Sequence, residues 1–461
     1  MMINSFDKNW TTTNGNVPLN DNEVERYISV RPSENQLRLA DKPFYCFIHF
    51  GMNTATGREW GAGIETVKDF TIKNIDAAQW VRVIKASGAT GIILTCKHHD
   101  GFCLWNSEYT DFCVKNTEFH KDIVKLLSDE CHKQGMDFGV YLSPWDMHDK
   151  RYGTKEYDDY FCNQLTELLT NYGEIFEVWF DGAKGSNAVK FEYDWQRYYD
   201  IIRTLQPKAN IAICGPDIRW VGNEGGRTRK SEYSVVPAAL CDTEKVMENS
   251  QQEEKQAAVL QKYTSADEDL GSRKILSKNA YLCWYPAEVD VSIRKGWFYS
   301  KKSNMSVKSA NKLFKLYLSS VGNNCTLLLN VPPTDKGVIH RKDARSLKGL
   351  GKRIKAITEK PVLIQELGEL TKDNGSIDFQ FNEEKKLNYI VISEDISQSQ
   401  RVEAFDLYVK KSNGNYKRAY KGTVIGSKKI IKLNNKKCTG VKFVIRQSRS
   451  TPIIKSIGFY E

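Results

Sequence analysis

Ile175-Phe176-Glu177-Val178-Trp179-Phe180-Asp181-Gly182 is an apolar and aromatic run that ends on a carboxylate and a glycine. Its length and its branched and aromatic side chains predict a buried strand. Packing has no use for an acid at the strand tip, so Asp181 is expected where a ligand can reach it. Two other apolar runs stop in the same way, Phe47-Ile48-His49-Phe50-Gly51 and Thr95-Cys96-Lys97-His98-His99-Asp100-Gly101-Phe102. Three strand tips that carry His or Asp and are halted by glycine predict the catalytic face of a (β/α)8 barrel, where functional groups come from the ends of several strands.

The flanking sequence supports that reading. Strands are expected at Phe44–Gly51, Gly91–Thr95, Met136–Ser143, Asn210–Gly215, Asn279–Tyr285 and Cys325–Val331. Helical periodicity lies between them at Ile75–Ala86, Phe119–Gln134, Tyr157–Tyr172, Tyr193–Leu205 and Val307–Ser320, followed by a basic helix over 339–357. Alternation of this kind predicts a parallel sheet. No Gly-x-Gly-x-x-Gly turn follows the first strand, which disfavours an open dinucleotide-binding sheet. Residues 216–278 read as long charged loops, and one barrel strand is not legible. Beyond Lys355–Pro361 the pattern changes to short β-branched runs, Tyr389–Ser393, Val402–Val409, Lys429–Leu433 and Gly440–Ile445. The expected organisation is a polar, irregular N-terminal extension (1–40), a (β/α)8-like TIM barrel (41–357) and a C-terminal all-β sandwich (358–461).

Composition narrows the function classes. The 461 residues carry a net charge of +10, but its source is local: from Lys410 to Lys455 there is no Asp or Glu. That pattern reads as a solvated lysine-rich sheet, and no nucleic-acid motif accompanies it. Packing of that domain against the barrel is expected over glycan binding, since no aromatic platform is evident on it. The 11 cysteines include no Cys-x-x-Cys pair and read as buried small hydrophobes of a reducing setting. Neither a signal peptide nor a membrane-spanning run is legible, and the compartment stays open. Ten Trp and 22 Tyr suit a stacked sugar ligand as well as a large core.

The site residues point to glycoside hydrolysis. Trp179 lies two residues before Asp181 on the same strand face, which sets a carboxylate beside an aromatic wall and suits a glycosidase nucleophile. The plainer reading of Asp181 is a loop or helix cap. His98 and His99 are adjacent, so they cannot form the i, i+4 pair of a helical metal site. With His49 they could instead bond the hydroxyls of one small ligand. A metal-dependent barrel hydrolase is a rival reading, although the first strand lacks His-x-His. A non-catalytic glycan-binding protein is another. Two carboxylates are candidate acid/bases: Glu224 in Arg219-Trp220-Val221-Gly222-Asn223-Glu224, and Glu288 in Trp284-Tyr285-Pro286-Ala287-Glu288. Flanking aromatics would raise either carboxyl by desolvation, and surface-loop carboxylate is the plainer reading of each.

Taken together, these segments resemble the α-L-fucosidases of glycoside hydrolase family 29. The markers are Phe47-Ile48-His49-Phe50-Gly51, Arg58-Glu59-Trp60, Lys97-His98-His99-Asp100-Gly101-Phe102, Gly139-Val140-Tyr141-Leu142-Ser143 and Trp179-Phe180-Asp181-Gly182. Arg219–Glu224, Pro286–Arg294, Gly296–Tyr299 and Leu327–Pro333 are similar to the subfamily acting on α-1,3/1,4-linked fucose. Lys295 departs from the proline expected after Ser292-Ile293-Arg294. The resemblance implies a cofactor-free retaining mechanism on fucosylated oligosaccharides or glycoconjugates and a C-terminal β-sandwich. It implies Asp181 as nucleophile, Glu224 as acid/base with Glu288 as second choice or as a binder of the neighbouring galactose, and His49, His98, His99 and Tyr141 on fucose hydroxyls. Glu59 and Trp60 are expected nearby, with Trp297 a wall for the leaving sugar.

Overall fold

The computed structural model describes residues 23–185, 188–242 and 269–461. Five strands alternate with helices in the first half of the chain: β1 Phe44–Ile48, β2 Gly91–Lys97, β3 Asp137–Leu142, β4 Ile175–Phe180 and β5 Asn210–Ile213. The intervening helices start where the sequence offers a cap. Asp76, Asp122 and Asp194 each accept from a backbone amide of the first turn, and the helix Ile123–Gln134 stops at Gly135 in the left-handed region. Each helix lays an apolar stripe on the sheet, such as Ala77, Trp80, Val81 and Ile84.

The remaining barrel strands are β6 Arg219–Trp220, β9 Ala287–Ser292 and β10 Thr326–Asn330; between β6 and β9 lie β7 Val235–Pro237 and β8 Leu282–Trp284. The eight-stranded sheet runs β5-β4-β3-β2-β1-β10-β9-β6 with every recorded pair parallel, and a bridge from Ala212 to Ile218 nearly closes it. This is a TIM barrel.

Two expectations change here. The strand expected at Asn279–Tyr285 is β8, which pairs antiparallel with β7 outside the barrel; the barrel strand follows it as β9. The strand missing from the sequence reading is β6. Two residues carry no periodicity, and only pairing with Ala287 and Glu288 makes them a strand. Residues 23–40 are also not irregular. They form helices Glu23–Ser29 and Glu34–Asp41, the second opened by a Ser33/Gln36 capping box. Gln36 also donates to the carbonyls of Asp217 (2.8 Å) and Trp284 (3.1 Å). The rest of that extension, and much of 216–278, fall outside the described residues.

The C-terminal unit is all-β: β11 Leu363–Glu369, β12 Ser376–Glu394, β13 Val402–Lys410, β14 Tyr416–Gly422, β15 Lys429–Ser448 and β16 Ile453–Tyr460. Its two longest strands, β12 and β15, pair along both halves with register breaks between Gln380 and Lys385 and between Leu387 and Tyr389. The breaks let one half pair with β16 and the other with β13, so the two layers of a β-sandwich share these strands. Phe379 of one layer meets Phe459 of the other at 5.0 Å. The sandwich braces the barrel loop after β6. Ser234 N–H donates to Gln400, Thr423 to the Lys230 carbonyl, and Asn324 bridges Glu232 to Ser427. Among the described residues no helix is long and apolar enough to cross a membrane.

Candidate active site

Side chains alternate along a strand, so β4 directs Glu177, Trp179 and, at its tip, Asp181 into the barrel, while β9 directs Glu288 and Asp290. A pocket of about 610 Å³, open mouth included, lies over these tips. It brings together Asp181, His49, His98, His99, Trp60, Trp179, Glu224 and Trp297, and adds Phe47, Ile213, Trp220 and Asp290, to which sequence reasoning gave no role.

Asp181 keeps 20% of its side chain exposed. Its Oδ2 accepts from the Tyr141 hydroxyl (2.9 Å) and its Oδ1 from the Ala183 amide (2.8 Å). His99 Nε2 lies 3.7 Å from Oδ2. Burial lowers the pKa of all three pocket histidines, His49 to about 3, so His49 and His98 are neutral at ordinary pH. Asn330 holds His49, Asn53 holds His98 and Ser143 holds His99 through their Nδ1 atoms. Just before these rings Lys97 turns outward, fully buried, onto Asp146 (3.0 Å) and Gln164 (2.9 Å). That ion pair ties the β2 tip to the loop carrying Trp145, whose ring lies 5.0 Å from His99.

Glu224 stands on the loop after β6. Asn223 accepts from Gly225 and Arg227 and so shapes the turn, and Gly226 sits at φ +76°. The residue is exposed by area, yet partial burial of its carboxyl raises the pKa, with the charges of Asp181 and Glu59 adding to the shift and the Trp297 indole N–H (3.4 Å) opposing it. Trp60 is 45% exposed and leans on His99 and Trp145.

Three expected roles move. Tyr141 is fully buried and not among the pocket-lining residues; its hydroxyl proton goes to Asp181. Glu59 is likewise not among the lining residues. It accepts from the amides of Trp297 (2.7 Å) and Phe298 (3.4 Å) and so positions the Trp297 wall. The turn it clamps follows Lys295, whose N–H donates to Ser306, a bond that proline could not make. Glu288 is completely buried in the barrel, where it accepts from Trp179 Nε1 (2.8 Å) and the Tyr45 hydroxyl. From there it can neither protonate a leaving group nor touch a neighbouring sugar. Regular alternation in Ala287-Glu288-Val289-Asp290-Val291-Ser292 was the available signal that Glu288 and Asp290 both face inward.

Glu288 shares the barrel interior with Glu177. Burial raises both carboxyls, Glu288 to about 7, and proximity to Glu288 raises Glu177 further. A carboxyl raised on folding stabilises the protein while protonated. The contribution is complete below the ordinary value of 4.5 and is lost as pH climbs through about 7. Glu288→Gln keeps the acceptor for Trp179 and removes the titration. Its melting temperature should therefore fall less than that of the wild type across this window. Parallel pH–melting curves would show that the pair does not carry the effect.

The sequence profile of the α-L-fucosidase family matches residues 63–359. The chain belongs to the α-L-fucosidase family. It is 35% identical over 468 residues to α-L-fucosidase 1 of Arabidopsis thaliana, covering 93% of this chain and 87% of the relative. A glycoside hydrolase family 29 structure from a rumen bacterium aligns at TM-score 0.80 with 36% identity, over 93% of this chain and 77% of that one. A Ruminococcus gnavus family 29 fucosidase in complex with fucose aligns at TM-score 0.81 with 28% identity, over 98% and 97%. The enzyme is a glycosidase, and the fucosidase fold places the pocket at the barrel face where TIM-barrel enzymes do their chemistry.

Proposed function

We propose that this fucosidase is a retaining exo-enzyme that releases L-fucose from α-1,3/1,4-fucosylated, Lewis-type glycans. Asp181 attacks the anomeric carbon while protonated Glu224 gives its proton to the departing oxygen; water then hydrolyses the fucosyl-enzyme with Glu224 as base. His49, His98 and His99 bind sugar hydroxyls, Trp60 and Trp179 flank the sugar, and Trp297 faces the leaving group. The observation that carries this reading is the contrast between two of the pocket's carboxylates, the third, Asp290, being held by Trp220. Asp181 is fixed by two donors at a strand tip, and Glu224 is a raised acid on a separate loop.

The linkage preference is supported by how the subfamily-like stretches join into one wall. Trp220 Nε1 donates to Asp290 (2.7 Å), Trp297 Nε1 to Glu224, and Asn330 Nδ2 to the Trp297 carbonyl (2.7 Å). Incubation with a Lewis-type and an α-1,2-fucosylated trisaccharide, followed by sugar analysis, tests it. Fucose should be released at least about tenfold faster from the first. Equal rates would remove the linkage assignment and leave the fucosidase.

A second reading has one observation behind it. Donor atoms of His98, His99 and Asp181 lie within 4.8 Å of one another and could ligate a metal ion. Chelator-sensitive activity with stoichiometric bound metal would replace the double displacement.

A further inference from the structure

We propose that Asn330 and Ser143 hold His49 and His99 as their Nδ1–H tautomers, so that both rings present a bare Nε2 to the sugar and require two of its hydroxyls to donate. Asn330 and Ser143 are then positioning residues, and the fucosidase selects its ligand by hydrogen-bond direction as well as by shape. The proposal rests on reading the pocket as the fucose site.

The tautomers follow from groups whose polarity is fixed. Asn330, at the end of β10, is buried with all of its side-chain bonds assigned. Its Oδ1 faces the His49 backbone N–H (3.3 Å), which can only donate. Its Nδ2 faces the Trp297 carbonyl (2.7 Å), which can only accept, and Ser292 Oγ (3.0 Å). The amide therefore cannot be flipped. His49 Nδ1, 3.0 Å from that same Oδ1, must carry a proton. A neutral ring has one N–H, and burial keeps His49 neutral, so its Nε2 is bare.

Ser143 supplies the equivalent argument for His99. Its Oγ lies 2.6 Å from the Trp145 carbonyl, a contact that only the hydroxyl proton can bond. Having spent that proton, Oγ accepts from His99 Nδ1 at 2.7 Å. Burial lowers the His99 pKa as well, and in the neutral ring Nε2 is a lone pair 3.7 Å from Asp181 Oδ2, two acceptors with no proton between them. A donating hydroxyl resolves that contact; a group that only accepts worsens it. His98 has no such fixed partner. Its Nδ1 faces Asn53 Nδ2 (3.4 Å), which also donates to Asp100 (3.0 Å).

Two-bond ¹H–¹⁵N correlation spectra of histidine-labelled full-length enzyme test this directly. His49 and His99 are assigned from His49→Gln and His99→Gln, and each should show a protonated Nδ1 and a bare Nε2. Either ring carrying a proton on Nε2, alone or in addition, overturns the proposal. Ser143→Ala should abolish the His99 preference and raise KM for an aryl fucoside about tenfold, and Ser143→Thr should restore both. An unchanged His99 spectrum in Ser143→Ala would remove Ser143 from the role. If Ser143→Ala fails to fold, the assigned wild-type spectrum still decides the tautomers. Turnover of the aryl fucoside by the wild type tests the fucosidase reading separately.

Discussion

Asp181→Ala is expected to lower kcat on an aryl α-L-fucoside by about 10⁴-fold or more, because removal of a covalent nucleophile leaves only binding and residual electrostatics. The fold should survive. Asp181 is partly exposed at a strand tip and its two partners, the Tyr141 hydroxyl and the Ala183 amide, can turn to water in an open pocket. Azide separates this role from a structural one. In Asp181→Ala an azide ion fills the space of the lost carboxylate and attacks C1 from that face, so the product is the β-fucosyl azide, inverted from the substrate. Restored turnover with inverted product fits the nucleophile. Hydrolysis by Asp181→Ala within tenfold of the wild type, with or without azide, would place the nucleophile elsewhere.

The sequence made the site legible where chemistry and strand were contiguous. His49, the His98-His99 pair and Asp181 each close an apolar run, so period and composition point to the same tips. It failed where the third dimension does the work. β6 is a strand only because Arg219 and Trp220 pair with β9, 68 residues away in sequence, as counted from the paired residues Arg219 and Ala287. Asn330 and His49 are separated by 281 positions, Ser143 and His99 by 44, and no local pattern announces such bonds. Glu288 misled for a different reason. A carboxylate next to aromatics reads as a raised acid, which it is, but the same burial that raises it also removes it from the pocket. A perturbed acid is a candidate catalyst only when substrate can reach it. The lysine-rich domain was legible in outline. Its composition read as a solvated surface packed on the barrel, and its bonds to Ser234, Lys230 and Asn324 brace the segment that follows Glu224.

Glu224→Ala should distinguish substrates by how much help their leaving groups need. On a natural trisaccharide the departing sugar alkoxide must be protonated, and loss of the acid should cost about 10²–10⁴-fold in kcat/KM. An activated aryl leaving group departs without a proton, so formation of the fucosyl-enzyme should suffer much less and its hydrolysis should become limiting, seen as a burst of phenol. The exposure of Glu224 does not argue against the role. Its loop is shaped by Asn223, and Trp297 donates to its carboxylate across the pocket mouth. Partial desolvation of the carboxyl, with the charges of Asp181 and Glu59, raises its pKa and favours the protonated form the role needs. In the proposed mechanism, consuming the Asp181 charge in the covalent intermediate removes one of the causes that raise the Glu224 carboxyl and so favours its ionised form as the base. The stereochemistry again reports the step. Azide added to Glu224→Ala meets the fucosyl-enzyme from the face opposite Asp181 and gives the α-fucosyl azide, the reverse of the product from Asp181→Ala. Equal losses on both substrates, or the same azide anomer from both variants, would show that Glu224 is not the acid.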